Sequence, residues 1–259
     1  MITGKEILLA LSYKYNGDWD KIYDAIKRKE KIDDDFLENA LKSINSNYVT
    51  IVDDEYPTVL KDIYKPPFVL YYHGNINLIY NTEQVLAVVG SRKCTQYSEI
   101  NCRKIVKELG GRLNIISGMA LGIDAISHRA AIDSGASTIA VLGCGINYVY
   151  PKTNALLYEE IKRGHLIISE YPDMQPPQPD YFPFRNRIII GLSNGVFIPE
   201  VRNQSGTMVS CAHALSQNRD VYILPQPAGS DTYNNRLIKE GACLVESGTD
   251  ILNDKNLIS

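Results

Sequence analysis

The sequence predicts an α/β protein, a doubly wound and mostly parallel sheet preceded by a small N-terminal helical module. Three observations carry the prediction. From Val85 onward short apolar runs alternate with amphipathic segments, the first two of those runs each break into a small-residue loop before a helix, and residues 1–45 carry only helical periodicity. In the stretch VLAVVGSRKCTQYSEINCRKIVKELGGRLNIISGMALGID (85–124), Val85–Val89 leads into Gly90-Ser91-Arg92 and a helix from about Ser98. Leu113–Ile116 leads into Ser117-Gly118-Met119-Ala120-Leu121-Gly122 and a helix whose expected N-cap is Asp124. Apolar runs of this length ending in Gly or Ser read as strands buried on both faces, and the amphipathic segment between them is a crossover helix, so the unit is a right-handed βαβ.

Taken in order, Ile7, Leu8, Leu11, Ile22, Ile26, Leu37, Leu41 and Ile44 recur at helical spacing, broken at Asn16-Gly17-Asp18 and capped near Ile32-Asp33. This gives a helical module over 1–47. A connector follows over 48–84, with Tyr48–Val52 and Phe68–Tyr72 as short strands around Tyr56-Pro57 and Pro66-Pro67, prolines that forbid a continuous helix. The main domain, 85–259, continues with strand Thr138–Leu142, a helix near Asn154–Lys162, strand Leu166–Ser169, a proline-rich loop from Pro172 to Pro183 and a helix from about Arg185 to Leu192. Strand Gly195–Ile198, a helix near Thr207–Ser216, strand Val221–Leu224, a helix near Tyr233–Glu240 and strand Ala242–Val245 complete a sheet of six or seven strands.

Composition narrows the class. The chain has 259 residues, 44% of them hydrophobic, which suits an ordinary folded core. It has no apolar run long enough to span a bilayer, and its N-terminus lacks the pattern of an export signal, so a cytoplasmic protein without membrane contact is expected. Five cysteines (Cys94, Cys102, Cys144, Cys211, Cys243) at irregular spacing fit neither a disulfide framework nor a zinc site and read as buried or idle thiols. The net charge is −3, but the segment sums are −4 over 1–84, +3 over 85–190 and −2 over 191–259. Positive charge thus gathers around the glycine loops, as a local anion site requires.

In an open parallel sheet, ligands sit outside the carboxyl ends of the strands. Gly90-Ser91-Arg92, Ser117-Gly118, Gly143-Cys144-Gly145 and Ser205-Gly206-Thr207 all fall at such ends, and Lys152-Thr153-Asn154 and Arg185-Asn186-Arg187 add cations and amides to the same rim. Glycine at these turns lets the backbone approach a ligand, and the free N–H groups of a helix start attract anions. A structural alternative for Arg92 is a helix-start residue paired with Glu99. Arg185 and Arg187 project about 200° apart on a helix, so one can face a ligand while the other makes an internal ion pair. Asp124 and His128, four apart, read as a cap and a helix-surface histidine, since no third metal ligand stands nearby. Gly143-Cys144-Gly145 is not continued as a dinucleotide fingerprint, because residue 148 is Tyr, and there is no phosphate-loop G-x-x-x-x-G-K-[ST]. No nucleophile–base pair or carboxylate dyad stands out, and no cofactor is expected.

Six linked motifs, GSR (90–92), SGMALGID (117–124), TIAVLGCGINYVYPKTN (138–154), PFRNRIIIGL (183–192), SGT (205–207) and NNRLIKEGA (234–242), resemble the DNA-processing protein A (DprA/Smf) family in order and spacing. The resemblance covers about 48–246. It implies an extended Rossmann-like domain and a non-enzymatic protein of natural transformation, a homodimer that binds and protects single-stranded DNA and loads the RecA recombinase onto it. It further implies that Arg92, Lys152, Arg185 and Arg187 form a positive pocket, with Ser91, Gly118, Asn154, Asn186, Ser205 and Gly206 as backbone contacts beside Gly90, Ser117 and Thr207. Many members of the family carry a C-terminal winged helix, and none is expected here. The alternative is a nucleotide-binding protein or an enzyme similar to the nucleoside-monophosphate phosphoribohydrolases, whose P-G-G-x-G-T-x-x-E motif ends in a working glutamate. Gly206-Thr207 keeps part of that motif, but its final position here is Ser210.

Overall fold

The computed structural model describes residues 2–203 and 206–254. Helices α1 (Gly4–Lys14), α2 (Trp19–Lys27) and α3 (Asp34–Ser43) come first, each opened by an oxygen-bearing cap, Thr3, Asp18 and Asp33 in turn. Then follow β1 (Asn47–Thr50), β2 (Val69–Gly74), β3 (Val85–Val88), α4 (Gln96–Glu108), β4 (Asn114–Ser117), α5 (Ile123–Asp133), β5 (Thr138–Val141), α6 (Ala155–Gly164), β6 (Leu166–Ser169) and α7 (Tyr181–Gly191). The chain continues through β7 (Gly195–Ile198), α8 (Gly206–Ser216), β8 (Asp220–Ile223), α9 (Asn234–Lys239), β9 (Cys243–Leu244) and α10 (Gly248–Leu252).

Among the described residues, one sheet holds nine strands in the order β1-β2-β6-β5-β4-β3-β7-β8-β9. From β6 to β9 the pairing is parallel, and every residue of β3, β5, β6 and β7 is buried. Helices on both faces explain such unbroken apolar runs. The winding starts at β3, runs outward through β4, β5 and β6, and returns to β7 on the other side of β3. The gap beyond β3 and β7 is therefore the switch point of the fold.

The stretch expected as a connector belongs to the sheet, because β2 pairs antiparallel with β6 and β1 with β2. The helical module is seated on this added edge. Leu8 and Leu9 pack with Val69, Tyr71 and Ile167, the Tyr71 hydroxyl meets Ser12 Oγ at 3.0 Å, and Trp19 Nε1 donates to Pro66 O at 2.8 Å. Cys102, Cys144 and Cys211 are buried, Cys94 is half-buried and Cys243 is exposed. Among the described residues no helix is long and apolar enough to cross a membrane.

Two local expectations are corrected. The cap of α5 is Gly122, at φ +73°, and Asp124 lies inside the first turn. His128 is fully buried rather than on a helix surface. The Thr138 hydroxyl gives its one hydrogen to Ile115 O at 2.8 Å, so His128 Nδ1, 2.7 Å from Thr138 Oγ1, carries the ring hydrogen and donates it. Nε2 carries no hydrogen and has no partner among the described residues. Burial holds this imidazole neutral, with its pKa lowered from 6.5 to about 3. In that window the unfolded chain binds a proton at His128 that the folded chain does not, so stability is expected to fall as pH falls from about 6.5 towards 3. The contribution is at most about 1.4 kcal/mol per pH unit. Denaturant titrations at pH 7 and pH 5 check it: His128→Gln should narrow the stability difference between the two conditions, and an unchanged difference would refute the assignment.

Candidate functional site

At the switch point an open groove of about 830 Å³ is lined by Gly90, Ser91, Arg92 and Lys93 after β3, by Arg202 after β7, by Gly206, Thr207 and Ser210 of α8, and by Phe182, Arg185 and Asn186 of α7. Tyr150 and Pro177–Pro179 complete the wall. The first loop is stitched on both sides: Ser91 N donates to Glu200 O at 3.0 Å, and Ile123 N donates to Ser91 O at 3.2 Å. Glycine is required here by contact. A Cβ on Gly90 would lie 2.7 Å from Ile123 Cγ1, and one on Gly122 would lie 2.3 Å from Ser91 O.

Arg92 is exposed, and its guanidinium sits 4.9 Å from the Phe182 ring centroid. The Glu99 partnership does not form, because Glu99 pairs with Arg103 at 3.1 Å. Phe182 and Tyr150 are tilted against each other at 5.7 Å, with Tyr150 42% exposed. One wall thus joins a stacked cation to two aromatic faces.

The two arginines of the RNR motif are both internal. Arg185 is buried, with Nη1 donating to Gly118 O at 2.8 Å and to Val141 O, and Nε donating to Asn186 Oδ1 at 3.2 Å. It fills the space that a side chain on Gly118 would need, since a Cβ there would lie 2.3 Å from its Nη2. Burial presses its pKa down, and nearby Asp124 opposes that. Arg187 points away from the groove into a bidentate pair with Glu170 at 2.8 and 2.6 Å, both side chains buried. The motif therefore braces the floor and the back of the site.

The anion-attracting start of α4 is already matched. The cap Thr95 sends both its N–H and its hydroxyl to Glu200 Oε2, each at 2.8 Å, so an internal carboxylate complements that helix end. At α5 the carboxylate of Asp124 plays a similar part, accepting from Ala120 N at 3.3 Å. Burial raises the pKa of Asp124, and Arg185 is the main influence opposing that rise. The start of α8 has no acidic residue in its first turn, and Gly206 and Thr207 of that turn line the groove.

The remaining expected residues serve as scaffold or rim. Ser117 is buried and donates to Val88 O at 2.6 Å. Asn154 Nδ2 donates to Met119 O at 2.9 Å, holding the loop that carries Gly118. Asn186 Nδ2 donates to Ser210 Oγ at 2.9 Å, tying α7 to α8. Lys152 is exposed in the turn after Pro151 and is not among the groove-lining residues. Ser205 lies outside the described residues. Lys93, Glu200 and Arg202 were missed by sequence reasoning. The available signal was a charged pair straddling Val201 directly beyond a buried strand, at the end next to the first glycine loop. The position that would hold a working glutamate in the phosphoribohydrolase-like alternative is the buried hydroxyl of Ser210, already bonded to Asn186.

A family model described as DNA recombination-mediator protein A matches residues 47–256. The chain belongs to that family. Among curated proteins, the DNA processing protein DprA of Streptococcus pneumoniae is 37% identical and aligns over 97% of this chain and 93% of its own. The Bacillus subtilis DprA is 36% identical over 80% of this chain and 71% of its own. Among solved structures, the pneumococcal DprA superposes with a TM-score of 0.82 at 37% identity, over 97% of this chain and 93% of that one. The Helicobacter pylori DprA, whose structure concerns a single-stranded DNA binding mode, superposes with a TM-score of 0.73 at 30% identity, over 81% of this chain and 95% of that one. The family's α/β architecture with a mostly parallel sheet is thus shared, and the chain is a DNA recombination-mediator by family.

Proposed function

We propose that this recombination-mediator protein binds single-stranded DNA in the switch-point groove, protects it and loads the RecA recombinase onto it, acting without catalysis as a cytoplasmic homodimer during natural transformation. The observation that carries the reading is the groove itself. Exposed Arg92, Lys93 and Arg202 line it together with the aromatic pair Tyr150 and Phe182, so phosphates and base faces are both provided for. Bases are left largely unread in this reading, so binding is sequence-tolerant and driven by phosphate charge. The family model supports the recombination role, and the H. pylori protein supports the choice of strand. The second copy is assigned to the free edge of the sheet, where β9 leaves Leu244 exposed and α8 leaves Leu215 exposed.

Titration of a labelled oligothymidylate and a mixed-sequence strand across a KCl series tests the strand-binding reading. Both strands are expected to bind alike, with log Kd rising by about 0.7 per phosphate contact for each decade of salt. Affinity indifferent to salt would sink the reading.

A further inference from the structure

We propose that Glu200 is the positioning residue of the groove, holding Arg92 on one wall and Arg202 on the other from a single buried carboxylate. The assignment rests on the strand-binding reading above. Glu200 stands two residues beyond β7, at the point where the sheet's winding reverses, and its side chain is fully buried. Its backbone oxygen takes the N–H of Ser91 at 3.0 Å, and its Oε2 takes the N–H and hydroxyl of Thr95 at 2.8 Å each. Those three bonds straddle Arg92 in sequence. The loop that presents the arginine is therefore clamped on both sides by one residue.

The second oxygen serves the opposite wall. Glu200 Oε1 accepts no hydrogen bond among the described residues, and Arg202 Nε stands 3.8 Å from it. Arg202 is exposed and lines the groove, and the carboxylate of Asp231, 4.0 Å from its Nη1, is fully in water. An exposed pair of that kind contributes little. A buried acid beside Nε holds the guanidinium at the edge of the groove, where a phosphate can reach it.

A purely structural role as the complement of the α4 terminus explains only half of this. Thr95 Oγ1 already receives Ser98 N at 3.2 Å, and one neutral acceptor would satisfy Thr95. Burying a charge is costly unless it is matched, and a negative charge beneath an anion groove repels the ligand. Its place there is explained if it fixes the cations that bind the strand.

Glu200→Gln separates the two roles, because it retains an acceptor for Thr95 and removes the charge facing Arg202. Anisotropy titrations of labelled oligothymidylate across a KCl series, with thermal unfolding, are compared for wild type, Glu200→Gln, Arg202→Ala and the double variant. Glu200→Gln is expected to unfold within a few degrees of wild type, to bind roughly fivefold more weakly and to lose about 0.7 from the salt slope, one phosphate contact. In the Arg202→Ala background the same change should add nothing. Glu200→Ala should lose both walls and a second increment of slope, and if it fails to fold, Glu200→Gln still decides. Binding by Glu200→Gln as tight as wild type or tighter, or an undiminished effect in the Arg202→Ala background, would overturn the assignment. Wild type that shows no salt-dependent binding would instead bring down the strand-binding reading itself.

Discussion

Arg187→Ala is expected to cost about 3–5 kcal/mol of folding stability while leaving the salt slope of strand binding unchanged. The reason is the company the guanidinium keeps. It meets Glu170 at 2.8 and 2.6 Å, donates through Nε to Lys65 O at 3.0 Å and through Nη1 to Phe184 O at 3.1 Å, and lies over the Phe184 ring at 3.7 Å. Both members of the pair are buried, so removing the arginine strands the Glu170 carboxylate and the Lys65 carbonyl in a site closed to water. For a chain of this size the loss corresponds to roughly 10 °C in unfolding temperature. The double change Arg187→Met with Glu170→Leu should recover most of it, because an apolar pair of similar volume leaves no charge unmatched. Thermal unfolding of the three variants checks the ordering. A well-folded Arg187→Ala protein that fails to bind the strand would show that the arginine is a contact after all.

That contrast shows how far the sequence could be read. The parallel strands from β3 to β8 fall within about a residue or two of their expected limits, since a strand buried on both faces is an unbroken apolar run, and glycine follows closely after β3, β4 and β5. The two connector strands were visible as short apolar runs, but their antiparallel docking on β6 was not, because that pairing joins positions some ninety residues apart. Arg185 and Arg187 illustrate the same limit at the site. Helical spacing says that they diverge, yet what each one faces is decided by Gly118, Val141 and Glu170, which reach them from other strands and loops. Two basic residues in a phosphate-rich context read as ligands. In the fold they satisfy buried carbonyls and a carboxylate. Conversely, Arg202 follows a strand in a short polar segment and looks unremarkable until the return of the chain to β7 sets it opposite Arg92.

Arg92→Ala is expected to weaken single-stranded DNA binding by roughly tenfold and to lower the salt slope by about 0.7, with stability within about 0.5 kcal/mol of wild type. Each part follows from where the residue sits. The guanidinium is exposed and makes no ion pair among the described residues, so truncation leaves none of their buried groups unsatisfied. It rests 4.9 Å from the Phe182 centroid, which presents the planar fork towards the groove and reduces the freedom lost when a phosphate is gripped. Arg92→Lys tests that last step, because it keeps the charge and therefore most of the salt slope but cannot stack as a plane or grip two oxygens at once. Its affinity should lie between wild type and alanine, and Phe182→Leu should narrow the gap between Arg92 and Arg92→Lys. The signature is the mirror image of Arg187→Ala: slope and affinity fall while unfolding temperature holds. If Arg92→Ala instead lowered stability and left the slope intact, the loop would be a structural strut like the RNR motif, and the phosphate contacts would have to come from Lys93, Arg202 and the start of α8 alone.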